Sequence, residues 1–183
     1  YDPDLDLVYW GTGNPSPHNA LDRKGDNLYT DSILAIRPRT GEMVWHYQTS
    51  PNDPFDYDNV QSVILAEINS GGSQRKVLMQ AARNGFLYVL DRTNGELLAA
   101  NKYAKATWAE RIDMATGRPV WSEATKSILD HVEKIQNWPY IGGATNWYPP
   151  SYSPLTGLAY VNTTNIGVEY EPLPLEDLRK LNL

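Results

Sequence analysis

Three carboxylates lie within six residues of the chain, at Asp53, Asp56 and Asp58 in the segment Pro51–Gln61. Residues two apart in an extended segment face the same side, so Asp56 and Asp58 can converge on one ligand. Two carboxylates held that close repel each other unless a cation lies between them or one carries a proton. Their spacing therefore suggests a metal-assisted acid/base site. The simpler alternative is a solvated acidic turn, because Asn, Asp and Pro favour turns.

A loop between two strands must hold these acids. Pro54 argues against a helix or a central strand at this point, since proline lacks a backbone donor. The residues on either side, Met43–Tyr47 and Val63–Ala66, have the apolar and aromatic composition of strands. We therefore predict a loop whose scaffold directs the acids at a common point.

Two further segments combine glycine with side chains that can bind a ligand. The strand Leu5–Trp10 leads into the turn-rich segment Gly11–Pro17, in which the amide oxygen of Asn14 is a usable hard ligand. Asn14 can equally serve only to stabilise a turn. In the second segment, Asn146 can hydrogen-bond a planar polar ligand and Trp147 can pack beside one. The alternative is that Trp147 is buried between sheets.

The composition is that of a globular, acidic protein. The chain has 183 residues, of which 41% are hydrophobic and 21% charged, and its formal net charge is -6. No basic run is present, which argues against nucleic acid as a partner. No apolar run approaches membrane-spanning length. The chain contains six Trp and twelve Tyr but only two Phe. This bias is typical of strand-rich folds with polar pockets.

Four segments repeat a strand, a tight turn and a second strand, with turn glycines at Gly41, Gly95, Gly117 and Gly157. Glycine supplies the positive φ that such hairpins need. A large aromatic residue after the turn can pack between neighbouring sheets. Repeated hairpins with little helix predict an all-β fold, best explained as part of a β-propeller, with a β-sandwich as the alternative.

Two apolar spacings predict helices, one at Ser127–Ile135 and one in the tail Leu175–Leu183. Too few hairpin units are present to close a ring, and open sheet edges are a liability. We therefore expect residues 1–183 to be part of a longer propeller domain that is truncated at both ends.

Several segments together resemble one family, in the same order along the chain. The sequence resembles the pyrroloquinoline-quinone (PQQ)-dependent alcohol dehydrogenases, the methanol/ethanol dehydrogenase family, up to about Val161. The family's fold is an eight-bladed β-propeller, of which this chain would be a middle portion. The matching segments are Gly11–Pro17, Lys24–Asn27, Trp45–Thr49, Asp56–Asp58, Arg83–Arg92 and Asn146–Trp147.

The resemblance implies roles for three metal-site residues. Asn14 matches the family's amide ligand to the active-site metal. Asp56 matches the carboxylate that lies at the metal and takes the alcohol proton as a base. Asp58 matches the additional acid of family members that use a lanthanide ion rather than calcium. One more carboxylate offsets the extra charge of a trivalent ion, which favours oxygen ligands.

The resemblance also implies contacts with the quinone. Arg83 matches the basic residue near the quinone oxygens, where it can stabilise developing negative charge and act catalytically. Asn146 and Trp147 match positions that contact the cofactor. The family's glutamate ligand, its tryptophan under the quinone and its cysteine pair lie upstream of the matching segments, so we expect the chain alone to be inactive.

The activity implied by the resemblance is oxidation of small primary alcohols to aldehydes by hydride transfer to metal-bound PQQ, with electrons passed to a cytochrome c. A periplasmic location and a possible homodimer follow from the same resemblance. Two alternatives stay open from the residues: a non-catalytic propeller scaffold, and a quinoprotein sugar dehydrogenase. Asn14, Asp56 and Arg83 argue against the scaffold, which has no reason to keep all three.

Overall fold

The computed structural model describes residues 1–130, 133–174 and Asp177. Over these residues the chain forms thirteen strands, one α-helix and one turn of 3-10 helix. The helix α1 spans Glu123–Leu129, and the 3-10 turn spans Ala20–Asp22. The strands are β1 (Val8–Gly11), β2 (Ser32–Ile36), β3 (Met43–Gln48), β4 (Ile64–Ser70), β5 (Ser73–Ala81), β6 (Phe86–Asp91), β7 (Leu97–Lys102), β8 (Ala109–Ile112), β9 (Pro119–Trp121), β10 (Ile135–Asn137), β11 (Ser151–Ser153), β12 (Leu158–Tyr160) and β13 (Val168–Tyr170).

The strands pair antiparallel, mostly with their neighbours in sequence. Strands β1, β2 and β3 form a three-stranded sheet, and β4 to β7 form a four-stranded meander. Within the described part of the chain, the remaining pairs are β8 with β9, β11 with β12, and β10 with β13. Short meanders of this kind are the building blocks of a propeller. The prediction of an all-β fold is confirmed.

The predicted turn glycines share one geometry. Gly41, Gly95, Gly117 and Gly157 have φ of 74°, 79°, 70° and 69°. Each glycine N–H donates to the carbonyl four residues earlier, at 2.8 to 2.9 Å. These backbone angles are costly for other residues, and glycine at each position therefore fixes the hairpin register.

An aromatic side chain of the first sheet packs on the turn of the next. The ring of Trp45 on β3 lies so close to Gly95 that an added Cβ would stand 2.8 Å from Trp45 Cε3. The Trp45 Nε1–H also donates to the carbonyl of Arg92 at 3.2 Å. Tyr47 repeats this contact one hairpin further, since its hydroxyl donates to the carbonyl of Gly117 at 2.8 Å. The predicted packing of aromatic residues between sheets is confirmed.

The helix differs from its predicted position. It begins at Glu123 because Ser122 caps it, accepting a hydrogen bond from the Thr125 N–H at 3.2 Å. Ile135 does not continue the helix but lies in β10, where it pairs with Tyr170. The prediction of a helix over Ser127–Ile135 is therefore wrong at both ends. The predicted tail helix falls, Asp177 apart, outside the residues described.

Candidate active site

Burial alternates along the loop that connects β3 to β4. From Pro51 to Gln61 the buried residues are Pro51, Asp53, Phe55, Tyr57, Asn59 and Gln61. Asp56 and Asp58 lie between them, and their side chains are 25% and 21% exposed. The period of two expected for an extended segment therefore holds here outside any strand. It leaves both carboxylates on the side that faces away from the core.

Asp53 shapes this loop from inside. It is 2% exposed, and its carboxylate accepts the N–H groups of Phe55 at 2.9 Å and Tyr57 at 2.5 Å. Burial raises the pKa of Asp53 to about 7, although these two backbone hydrogen bonds lower it. The interpretation of Asp53 as part of a solvated turn is therefore wrong, because its carboxylate organises the backbone that presents Asp56.

The loop is anchored by aromatic side chains. Phe55 and Tyr57 are 0% and 1% exposed and belong to the main hydrophobic core. The buried Tyr57 hydroxyl donates to the carbonyl of Pro139 at 2.7 Å and accepts from Asn137 Nδ2 at 2.8 Å. The acidic loop is thereby tied to the segment that follows β10.

Arg83 supplies the cation that two neighbouring carboxylates require. Its Nη1 lies 2.6 Å from Asp58 Oδ2, and its Nη2 lies 3.3 Å from Asp56 Oδ2. The guanidinium side chain is only 8% exposed, so solvent screens these ion pairs less than surface pairs. Asp56 itself has a φ of 63°, a conformation that non-glycine residues rarely adopt and that clusters at functional sites.

Asn14 reaches the same group of residues through its backbone. Its N–H donates to Asp58 Oδ1 at 2.7 Å. The turn before it packs directly on the acidic loop, since a Cβ added to Gly11 would stand 2.0 Å from the carbonyl oxygen of Asn59. Glycine is required at position 11 for this close approach. The structure thus brings Asn14, Asp56, Asp58 and Arg83 together.

Asn146 and Trp147 line a separate cavity of about 430 Å³. Trp147 is 78% exposed, so the alternative that it is buried between sheets is wrong for the described part of the chain. Asn146 Nδ2 donates to the carbonyl of Gly142 at 3.1 Å. Its buried Oδ1 accepts no hydrogen bond from any described residue. A buried amide oxygen without a partner fits a ligand that brings a donor into this cavity.

Arg83 makes contacts with Ile141 and with Gln61 that the sequence does not predict. The carbonyl of Ile141 accepts from both Nε, at 3.1 Å, and Nη2, at 2.6 Å. The Arg83 N–H donates to Gln61 Oε1 at 3.2 Å. The Gly142–Gly143 pair marks a close backbone approach in the sequence, but not which residue it approaches.

Asp31 is a buried acid that no pattern in the sequence singles out. It lies at the start of β2 with 0% exposure, and neither carboxylate oxygen has a hydrogen-bond partner among the described residues. Burial, together with the neighbouring charges of Asp53 and Asp58, raises its pKa to about 9. Asp31 is therefore a protonated carboxyl at neutral pH.

The raised pKa predicts how Asp31 affects stability. The folded protein holds the Asp31 proton up to a higher pH than the unfolded chain, whose pKa is near 3.8. This group therefore destabilises the folded state progressively as the pH rises from about 4 to 9. Asp31→Asn is expected to raise the melting temperature more at about pH 8 than at about pH 5.

Thermal melts of the full-length gene product at several pH values test this expectation. Asp22→Asn is the matched control, because Asp22 is an exposed acid and its replacement should leave the pH dependence unchanged. Equal gains at both pH values would contradict a raised pKa at Asp31.

The sequence profile described as "Glucose/ethanol/alcohol dehydrogenase, beta-propeller domain", of the PQQ type, matches residues 1–100. The chain belongs to this family. The resemblance seen in the sequence is thereby confirmed, and so is the partial β-propeller, whereas the β-sandwich alternative is wrong. The count of eight blades in the complete ring stays a prediction.

Individual members of this PQQ family are similar over most of the chain. The quinohemoprotein alcohol dehydrogenase ADH IIB of Pseudomonas putida is 54% identical over 88% of the chain. The 1-butanol dehydrogenase (cytochrome c) of Thauera butanivorans is 43% identical over 89%. The chain spans 23% of the length of each of these two curated relatives.

Solved structures give the same result. The quinohemoprotein alcohol dehydrogenase ADHIIG of Pseudomonas putida superposes with a TM-score of 0.91 at 45% identity, covering 95% of this chain and 26% of that one. A europium-containing methanol dehydrogenase superposes with a TM-score of 0.86 at 39% identity, covering 93% and 30%.

The donor types at the site limit which ions it can hold. Among the described residues, no three His, Cys, Asp or Glu side chains cluster as a metal site. The predicted set instead combines the carboxylates of Asp56 and Asp58 with the amide of Asn14, all oxygen donors suited to a hard cation. No helix in the described ranges is both long and apolar enough to cross a membrane.

Proposed function

We propose that the protein carrying this chain oxidises small primary alcohols to aldehydes with PQQ and a bound metal ion. The observation that carries this proposal is the position of Arg83, held between Asp56 and Asp58 at 3.3 and 2.6 Å. An acid of this kind, partly exposed and beside a buried cation, is suited to accept a proton from a bound substrate. The family and the named relatives, which are alcohol dehydrogenases, support it.

Asp56 is the base in this proposal. Its carboxylate takes the hydroxyl proton of the alcohol while hydride leaves the adjacent carbon, so that a neutral aldehyde results. The buried guanidinium of Arg83 holds Asp56 in place and keeps a positive charge where negative charge develops. The positive φ of Asp56 sets the direction of its Cα–Cβ bond.

The residues around the cavity fit a planar, polar cofactor. The unpartnered Oδ1 of Asn146 accepts a donor, and the exposed ring of Trp147 offers an apolar face beside it. PQQ, when bound, supplies an electrophilic quinone carbon that accepts hydride. We assign Asn146, Trp147 and Arg83 to hold it.

A lanthanide ion is the metal we propose, with calcium as the alternative. Asn14, Asp56 and Asp58 would hold the ion through oxygen atoms, the ligands that hard cations prefer. Asp58 adds a second negative charge, which a trivalent ion neutralises better than a divalent one. One similar structure is of a europium-containing methanol dehydrogenase.

We further propose a cytochrome c as the electron acceptor and a periplasmic location. One relative is named a cytochrome-c-linked 1-butanol dehydrogenase. Electrons from each alcohol must leave the site for turnover to continue. The possible homodimer remains a prediction from the sequence.

The proposal is tested with the full-length gene product, purified without cofactor and reconstituted with PQQ. Oxidation of short primary alcohols is followed with a dye acceptor and with a cytochrome c, in calcium or in a light lanthanide salt. We expect higher activity with the lanthanide. Activity with calcium alone, or equal activity with both ions, overturns the metal assignment, and no activity with either overturns the function.

Replacements of Asp58 show whether this residue selects the metal ion or only positions Arg83. Asp58→Ala and Asp58→Asn are both expected to lower lanthanide-dependent kcat by about 100-fold, which corresponds to about 3 kcal/mol. The asparagine variant keeps one oxygen that can accept the Arg83 donor, but its amide nitrogen then replaces the oxygen that accepts from the Asn14 N–H. Asp58→Asn with near-normal activity would mean that Asp58 only positions Arg83.

A further inference from the structure

The segment 140–146, which we call the clasp, holds Arg83 through both its side chain and its backbone. The carbonyl of Ile141 accepts two guanidinium donors, Nε at 3.1 Å and Nη2 at 2.6 Å. The N–H of Ala144 donates to the carbonyl of Arg83 at 2.9 Å. Arg83 is therefore fixed at two points to the clasp, which lies about 60 residues later in the chain.

Gly143 lies against the aliphatic stem of Arg83. An added Cβ would stand 2.1 Å from Arg83 Cγ and 2.9 Å from its carbonyl oxygen. Gly143 also has a φ of 81°, and its N–H closes a turn by donating to the carbonyl of Tyr140 at 2.8 Å. The same Cβ would stand 2.7 Å from the carbonyl oxygen of Thr145, so any larger residue here must displace the Arg83 side chain and shift the adjoining backbone.

The clasp explains an unusual arrangement of the guanidinium. An arginine facing carboxylates commonly pairs both terminal nitrogens with one carboxylate, because that fork geometry is strong. Arg83 instead divides its nitrogens between Asp58 and Asp56. The Ile141 carbonyl takes Nε and one Nη2 hydrogen and so fixes the plane of the guanidinium, leaving one donor directed at each carboxylate.

The other end of the clasp lines the cavity. Tyr140, Gly142 and Asn146 contribute to the cavity wall, and Asn146 Nδ2 donates to the carbonyl of Gly142 at 3.1 Å. The residue directly before the clasp is tied to the acidic loop, since the hydroxyl of Tyr57 donates to the carbonyl of Pro139 at 2.7 Å. A ligand in the cavity and the guanidinium therefore share one short, tightly bonded turn.

We propose that the clasp is a positioning device, with Gly143 as its key residue, which divides Arg83 between Asp56 and Asp58 and links that geometry to occupancy of the cavity. The predicted effects on kcat rest on the proposed function, and the inference extends that function by adding a positioning role for the clasp. A shift of Arg83 by the bulk of one methyl group would misalign the base without removing any reacting group.

Gly143→Ala is expected to lower kcat by about 100-fold, the cost of a displacement near 1 Å, with a smaller effect on KM. The matched control is Gly157→Ala, because Gly157 has a similar φ of 69° but nothing within 4 Å of an added Cβ. That variant should keep normal kcat. Unchanged kcat in Gly143→Ala overturns the proposal.

A double-mutant cycle with Arg83→Met shows whether Gly143 acts through Arg83. The loss from Gly143→Ala should largely disappear in the Arg83→Met background, in kcat and in PQQ affinity measured by quenching of protein fluorescence. Additive losses overturn the proposal, because Gly143 would then act on the cavity directly. The cycle in PQQ affinity needs no turnover. It therefore still tests the role of Gly143 if the wild-type protein does not oxidise alcohols and the proposed function is wrong.

Asn146→Ala tests the clasp even where Gly143→Ala does not fold. It removes the hydrogen bond to the Gly142 carbonyl without adding bulk. At saturating PQQ, we expect kcat to stay about 10-fold below wild type, consistent with a lost positioning contact. Recovery of full kcat at saturation would mean that Asn146 contributes affinity alone, and would overturn the link between cavity and guanidinium.

Discussion

Asp56→Asn is expected to lower kcat for alcohol oxidation by about 10²- to 10⁴-fold, the usual contribution of a general base. Asparagine is nearly isosteric and keeps an oxygen that can accept the Arg83 donor, which lies 3.3 Å away. It also tolerates the φ of 63° at this position better than most residues. The variant should therefore fold normally, so that the loss reports the missing carboxylate in its two proposed roles, base and metal ligand.

Steady-state kinetics of the reconstituted full-length protein test this expectation, with thermal melts to establish folding. Asp22→Asn is the control for removing one negative charge at the surface, and it should keep normal kcat. A kcat for Asp56→Asn within about 3-fold of wild type would contradict the assignment, because a true base contributes far more. Asp58, the neighbouring carboxylate on Arg83, would then be the next residue to replace.

Local features of this chain were readable from its sequence because they depend on short-range chemistry. The apolar and aromatic composition of Met43–Tyr47 predicts a strand there, and in the structure β3 covers these residues and Gln48. Asp56 and Asp58 share one side of their loop, as their spacing of two predicts, although the positive φ of Asp56 departs from extended backbone. Neither conclusion required knowledge of the rest of the fold.

Other features were not predictable because they depend on distant contacts. Ile135 has the spacing of a helical residue, yet it pairs with Tyr170 in a strand, and this pairing outweighs local propensity. Asp31 becomes a buried acid only because the turn after β1 covers it, with its N–H donating to the carbonyl of Gly13. The clasp acts through a backbone carbonyl, whose direction no side-chain pattern reveals.

The roles of the site residues came from the family resemblance rather than from spacing. Considered alone, the acidic loop was more simply a solvated turn, and that interpretation fails for the buried Asp53. The contact between Arg83 and the two carboxylates joins residues 25 and 27 positions apart. Charge complementarity alone cannot select this arginine from the others in the chain. The pairing of Arg83 with the two acids is therefore visible only in the structure.

Arg83→Met is expected to damage both activity and stability. Loss of the guanidinium removes preorganised positive charge beside the base, which typically lowers kcat by about 10²- to 10³-fold. In the metal-free protein it also leaves Asp56 and Asp58 facing each other without a cation. Breaking a buried ion pair by removing one partner costs about 3–5 kcal/mol. The carboxylates here are 25% and 21% exposed, so we expect the lower end of that range.

Arg83→Lys separates the charge of this residue from its geometry. Lysine restores one positive charge, so the melting temperature should recover most of the loss seen in Arg83→Met. A single ammonium cannot reproduce the planar fork that reaches the Ile141 carbonyl and both carboxylates together, so kcat should recover only in part. Full recovery of kcat would show that charge alone suffices. Unaltered stability in Arg83→Met would contradict the view that Arg83 is the cation holding these two acids together.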